Sequence, residues 1–270
     1  MLTFALLLLI GVVSATFGSL VGLGGGVIIV PTLIYLDPVL LHRGITTPVA
    51  VGTSLLVLIV TALSSTLAFV RQKRVDFRSG WLFFAASGPG AIVGALLTGK
   101  LDAKQFQLVF GCFMLAMAVL LIVRPYLKPL KIEWSIRKTY TDPSGETTTY
   151  GYGPLSALAV GLCVGFVSGL FGIGGGSLFV PLMVLLFSFP PHVATATSMF
   201  VICLSSITGS IAHIAAGEID WFSALFLAPG AWIGGRLGAA IASRLSGDGL
   251  MWLLRGTLVV FALRMIADGI

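Results

Sequence analysis

Apolar residues dominate this chain in long runs, and polar residues gather in short stretches between them. The uninterrupted runs are about 16 to 34 residues long, without the strict apolar/polar alternation over about ten residues that marks membrane strands. Runs of this length match α-helices crossing a hydrocarbon core of about 30 Å at about 1.5 Å per residue. The runs form two similar sets. Each set opens with an apolar block broken by a glycine cluster and continues with three ordinary spans. In the first set the spans are Val49 to Val70, Trp81 to Gly99 and Leu108 to Val123; in the second, Val193 to Ala216, Trp221 to Ser243 and Leu250 to Ile266. Between the sets lies a polar stretch, Arg124 to Gly153, with five basic residues and the turn-like Asp142-Pro143-Ser144-Gly145.

The two sets also match residue by residue. Gly22-Leu23-Gly24-Gly25-Gly26 followed by Pro31 recurs as Gly172-Ile173-Gly174-Gly175-Gly176 followed by Pro181, an offset of 150. Thr53-Ser54 pairs with Thr197-Ser198, Val75-Asp76 with Ile219-Asp220, and Gly88-Pro89-Gly90-Ala91 with Ala228-Pro229-Gly230-Ala231. An internal duplication in constant order is the signature of a repeat architecture. The expected organisation is a first membrane repeat over residues 1–123, a polar cytoplasmic linker over 124–153 and a second membrane repeat over 154–270. The N-terminal run Leu2 to Ala15 has no Lys or Arg before Arg43, so it lacks the basic start of a signal peptide, and Leu155 to Gly172 repeats it.

Composition agrees with the pattern. Of 270 residues, 57% are hydrophobic and 10% charged, against about 25% charged in a soluble domain. With a mean hydropathy of +1.06, a soluble globule is excluded, and the chain reads as an all-α integral membrane protein, multi-pass, in the cell inner membrane. The 34 glycines suit helices packed backbone to backbone. The net charge of +6 sits in loops beside spans, where Lys and Arg set orientation, so no nucleic-acid partner is expected. Cys112, Cys163 and Cys203 lie inside apolar runs without metal or redox spacing, and no cofactor is implied.

Orientation follows from the same charges. Arg71, Lys73, Arg74 and Arg78 share a loop that belongs with the basic linker in the cytoplasm, whereas its counterpart, Gly217 to Asp220, carries Glu218 and Asp220 and no cation. That contrast favours inverted repeats, each with its first block folded back as a hairpin at the glycines. A parallel arrangement, in which the block crosses once, trades Arg244 for Arg264 on the inner face and stays open.

Three consecutive glycines, each costing a helix about 1 kcal/mol relative to alanine, predict that the helix breaks twice at equivalent points. The next half-helix then offers unpaired N–H groups and a positive dipole end, which bind anions. Gly24, Gly25, Gly26, Gly174, Gly175 and Gly176 are thus candidate substrate-binding residues. The alternative is tight packing of small-xxx-small ladders through Gly18, Gly22 and Gly26, matched by Ser168, Gly172 and Gly176. The hydroxyls of Thr53, Ser54, Thr197 and Ser198 are matched candidates to hold an oxyanion, against the alternative of a bond to their own helix backbone. Arg255, about six residues into the last span, and Arg236 are intramembrane cations, functional by default unless they snorkel to the interface. His213 is the one histidine well within an apolar run, and it reads as structural. No Asp or Glu lies mid-span, and no catalytic or metal-ligand constellation emerges, so transport is expected rather than catalysis.

The duplicated GLGGGVIIVP and GIGGGSLFVP, the two Thr-Ser pairs and the GPGAIVG and APGAWIGG segments resemble the toluene sulfonate uptake permease family, also called the TauE/SafE sulfite-exporter family, over nearly the whole chain. The resemblance implies transport of sulfite, sulfonates and related organosulfur anions, and it extends to the six cluster glycines and the two prolines. The expected function is a secondary transporter exporting such an anion through a site between the repeats, with the lipid bilayer as its surroundings; a homo-oligomer is compatible with the sequence. Cation- or proton-coupled uptake, an anion channel and a non-transporting membrane scaffold are the alternatives.

Overall fold

The computed structural model describes residues 2–123, 126, 127, 132, 134–141, 147–242 and 248–270, excepting the side chains at 2, 40, 41, 121, 248–255 and 257. The first half contains α1 (Leu2–Val21), α2 (Gly26–Leu36) continued by a π-helical turn (Asp37–Leu41), α3 (Thr47–Arg71), α4 (Phe77–Thr98) and α5 (Ala103–Val123). After two short strands, β1 (Ile136–Thr141) and β2 (Thr147–Tyr152), the second half repeats the order as α6 (Pro154–Phe171), α7 (Gly176–Phe187), α8 (Pro191–Ala215), α9 (Trp221–Ile241) and α10 (Asp248–Gly269). Among the described residues, α1, α3, α4, α5, α6, α8 and α9 are long and apolar enough to cross a membrane, while α2 and α7 are shorter apolar helices. The protein is a multi-pass membrane protein.

Local chemistry sets several boundaries. α4 and α9 begin after Asp76 and Asp220, whose carboxylates accept the N–H of Ser79 and Ser223 at 3.1 and 3.2 Å, each satisfying an otherwise orphan donor of the first turn. α5 starts at Ala103 rather than Leu108 because Asp102 accepts the Gln105 N–H at 2.8 Å. Prolines open α3, α6 and α8, where the missing N–H costs nothing.

Both apolar blocks fold back at their glycines. Gly25, four residues beyond the end of α1, already lies against Ser14 and Gly18 of that helix. At the far end of this hairpin, the Phe4 ring packs tilted against Phe222 at 5.7 Å, and Arg43 also lies over the Phe222 ring. The hairpin therefore enters and leaves at one end of the molecule.

The helices pair with a consistent exchange between halves: α1 packs on α9 and α6 on α4, while α3 packs on α8 and α5 on α10. Direction can be read from the registers. Gly11, Gly230, Gly234 and Gly238 bring α1 and α9 backbone to backbone in parallel, as do Gly161, Gly165 and Gly169 for α6 on α4. In contrast, Gly52 meets His213 while Cys203 reaches Ile59, so the equivalent helices α3 and α8 run antiparallel. Gly111 against Ile266 and Gly269 against Leu108 give α5 and α10 the same relation. These closest approaches need the absence of a side chain: a methyl on Gly165 would collide with the Ser87 carbonyl, and one on Gly169 with that of Ala91.

The fold is mostly helical, as expected, and the stretch between the halves adds a short hairpin to it. In that hairpin β1 and β2 pair antiparallel with Ile136 opposite Tyr152 and Thr141 opposite Thr147. Tyr150 and Tyr152 are buried against Phe83 of α4 and against Phe187 and Phe189, so the hairpin is seated where α4 of the first half meets the second half. In β2 the tyrosines Tyr150 and Tyr152 stand two residues apart, the spacing that sets both on one face of a strand. The Asp142-Pro143-Ser144-Gly145 turn, Arg124, Lys128, Lys131 and Arg244 lie outside the described residues.

Candidate functional site

The two glycine turns meet between the halves. Gly22, Gly24 and Gly25 have φ of +80, +85 and +97°, and Gly172, Gly174 and Gly175 have +69, +73 and +73°, a region that side-chain-bearing residues rarely adopt. A methyl on Gly26 would strike the Gly172 carbonyl, and one on Gly176 the Gly22 carbonyl, so each half-helix starts against the other half's turn. Leu58 and Ile202, equivalent residues of α3 and α8, close the junction: Leu58 against Gly24 and Ile202 against Gly174. Gly25 and Gly175 accept the N–H groups of Ile28 and Ile29, and of Leu178 and Phe179. Among the described residues, the N–H groups of Gly26, Val27, Gly176 and Ser177 donate to no acceptor. Beside the second turn, the buried hydroxyls of Ser168 and Ser177 likewise have no partner.

The Thr-Ser pairs serve the opposite half. Ser54 donates to the Gly172 carbonyl at 2.7 Å, and Ser198 to the Gly22 carbonyl at 3.3 Å. Thr53 accepts the Asp220 N–H at 2.9 Å, and Thr197 the Asp76 N–H at 3.0 Å. All four side chains are fully buried. Each pair thus ties the other half's glycine turn to the start of the other half's α9 or α4. Ser198 also returns a bond to Thr195 in its own helix, at 2.8 Å.

Two ionic clasps mark the ends of these chains of contacts. Lys138 of β1 donates to both oxygens of Asp76 at 2.8 Å, and Tyr150 donates to the same carboxylate at 3.0 Å. Ser79 donates its hydroxyl to Asp76 and sits 2.9 Å from the Tyr152 hydroxyl. Burial pushes the Asp76 carboxyl up, but the Lys138 ammonium and the Ser79 bonds outweigh it and hold Asp76 below the usual carboxylate range. Burial and the adjacent Asp76 charge push the Tyr150 hydroxyl far above its ordinary value, so it stays a donor. In the other half, Arg43 pairs with Asp220 at 3.0 Å while its guanidinium lies 4.4 Å from the Phe222 ring centroid. Its backbone is fixed by a 2.8 Å bond to the buried Asp37.

The remaining candidates lie elsewhere. Arg236 is exposed, 4.9 Å over the Trp232 ring, and lines a cavity of about 320 Å³ with Arg71 and Gln72. Arg255 falls within α10, and its side chain lies outside the described residues. His213 is buried with Nδ1 at 2.7 Å from Glu218, while Nε2 has no partner. The clasps escaped the sequence reading, although Asp-x-x-Ser recurs at 76–79 and 220–223 and is a helix-start signal. Their cations come from unrelated segments, so no repeat could reveal them.

The family model described as "Sulfite exporter TauE/SafE" matches residues 7–265. A relative from Bacillus subtilis named a probable membrane transporter protein, YunE, is 46% identical over all of this chain and 99% of its own length. Probable membrane transporter proteins from Methanocaldococcus jannaschii and Escherichia coli K12 are 27% and 26% identical, over 98% and 89% of this chain and 96% and 81% of theirs. No solved structure gives a significant match.

Proposed function

The chain belongs to the sulfite exporter TauE/SafE family, a family of membrane transporters, and from that premise we propose that it exports a small organosulfur oxyanion, sulfite or a sulfonate, across the inner membrane. The observation that carries this reading is the second glycine turn, where unpaired N–H groups of Gly176 and Ser177 and unpartnered buried hydroxyls of Ser168 and Ser177 converge at the start of α7. Buried donors without acceptors cost free energy, and an oxyanion supplies several acceptors at the positive end of a helix. Gly174 to Gly176 hold the backbone open there, Gly24 to Gly26 bring the first half's turn against it, and Ser54 and Ser198 fix both turns.

With Asp76–Lys138 and Asp220–Arg43 closed at opposite ends, the turns face neither side, as in an occluded transporter. Loosening one clasp at a time exposes the site to alternate faces. An interior-negative potential favours outward movement of anions by about 2.3 kcal/mol per charge per 100 mV, so export needs no coupling carboxylate, and none lies within the spans.

Ser177→Ala is the clean test, because the hydroxyl holds nothing in the fold. Reconstituted in vesicles, this variant should fold with unchanged or slightly raised melting temperature and show about tenfold weaker half-saturation for sulfite or methanesulfonate, the order of a charge-assisted hydrogen bond. Wild-type half-saturation in a folded Ser177→Ala protein would remove the α7 start from the path. Absence of saturable flux in the wild type would favour the scaffold reading.

A further inference from the structure

Resting on the anion-transport reading, we propose that the cavity between the 72–76 loop and the β-hairpin is the loading vestibule of the path, binding a small oxyanion before it reaches the glycine turns. The cavity has a volume of about 340 Å³, and Lys73, Arg74, Asp76, Lys138, Tyr140 and Tyr150 line it. Asp76 and Lys138 neutralise one another in their clasp. Among the described residues, Lys73 and Arg74 meet no carboxylate, so these two cations of the lining are left without an ionic partner there.

Arg74 makes the case sharper. Its Nη1 is buried and donates to nothing, and a guanidinium N–H shielded from water without an acceptor is costly unless a ligand supplies one. The fork of N–H groups suits a planar or tetrahedral oxyanion. The loop presenting it is fixed: Gln72, Lys73 and Arg74 donate backbone N–H groups to the Phe69 and Val70 carbonyls, and Lys73 takes the left-handed conformation with φ of +57°.

Position links this cavity to the turns. The Asp76 N–H, at the cavity wall, donates to Thr197, and the adjacent Ser198 holds the Gly22 carbonyl. The equivalent chain in the other half, from Asp220 through Thr53 and Ser54 to Gly172, ends in a loop bearing Glu218 and Asp220, with Arg43 engaged by Asp220. Among the described residues, the loop at the β-hairpin end sets Lys73 and Arg74 into its cavity without a carboxylate partner, whereas the equivalent loop at the other end presents Glu218 and Asp220. The duplicated scaffold is thereby given a loading side, and the basic residues place that side in the cytoplasm.

A lipid phosphate has the same oxyanion chemistry as a free solute, so the test separates them. Full-length protein in phosphatidylcholine nanodiscs is titrated calorimetrically with sulfite and with methanesulfonate, and again in discs containing phosphatidylglycerol. Saturable binding is expected in phosphatidylcholine, weakened about tenfold in Arg74→Gln and in Lys73→Gln, partly retained in Arg74→Lys, and unchanged in Arg71→Gln, which lines a different cavity. Melting temperatures establish folding; should Arg74→Gln fail to fold, the exposed Lys73 carries the test. Wild-type affinity in Arg74→Gln and Lys73→Gln overturns the vestibule, and if vesicle flux persists the transport reading stands without it. Cation-dependent binding without flux in any vesicle defeats the transport reading and keeps the cavity as an oxyanion site. Loss of sulfite binding whenever phosphatidylglycerol is present assigns the cavity to lipid phosphate and overturns the proposal.

Discussion

At the scale of single residues, the glycines do two separable jobs. Gly25 has φ of +97° and faces the Ser14 carbonyl, whereas Gly44 has φ of +68° and open space around it. Alanine at Gly44 meets only backbone strain, about 1 to 2 kcal/mol. Alanine at Gly25 meets strain and a collision with main chain, and at Gly175 (φ +73°) with the Val164 side chain. Thermal melts in detergent should therefore show a modest drop for Gly44→Ala and loss of folded protein for Gly25→Ala, with Gly175→Ala between them because a side chain yields more easily than a carbonyl. Equal drops for Gly44→Ala and Gly25→Ala would mean that the turn is not packed as described. The same comparison shows why alanine at Gly25 cannot by itself distinguish an anion site from packing: the residue is needed for the fold before any ligand arrives.

At the scale of elements, the β-hairpin and α4 are joined through Asp76, which caps the helix and receives Lys138 and Tyr150. Its carboxyl is held below the ordinary value of 3.8. A depressed folded value means that the clasp contributes fully above pH 3.8 and that its contribution is lost as pH falls below that value toward the folded one. The wild type should lose melting temperature over this acid range. Asp76→Asn should be less stable than wild type at neutral pH and flatter in acid; parallel acid profiles for the two proteins would show that the clasp adds no stability. Lys138→Gln should reproduce the neutral-pH loss, since it removes the same pair from the other side.

At the scale of the whole molecule, equivalent helices α3 and α8 run antiparallel, as do α5 and α10. Set in a bilayer, that relation predicts inverted repeats, with the 72–76 loop and the 217–220 loop on opposite faces. Single cysteines introduced in a background lacking Cys112, Cys163 and Cys203 test this directly: a membrane-impermeant thiol reagent applied outside should modify a cysteine at Gly217 and spare one at Lys73. Labelling of both from one side would reject the inverted arrangement in the membrane.

The sequence by itself determined the membrane class, the duplication, the positions of the spans within a few residues and the fact that both apolar blocks break at their glycines. Each of these follows from local quantities: hydropathy over a window, the helix cost of consecutive glycines, and side-chain pattern along the chain. Only the tertiary structure decided what the matched residues do. Thr53-Ser54 and Thr197-Ser198 read from sequence as hydroxyls for an oxyanion or for their own helix backbone; in the structure each pair bonds to the opposite half, a relation that exists only once two copies of a helix lie antiparallel. Asp76 and Asp220 repeat in sequence, yet their partners, Lys138 from a strand and Arg43 from a loop, occupy non-equivalent segments. The duplication could reveal only what the halves share, and the cations that distinguish one end of the molecule from the other lie outside it.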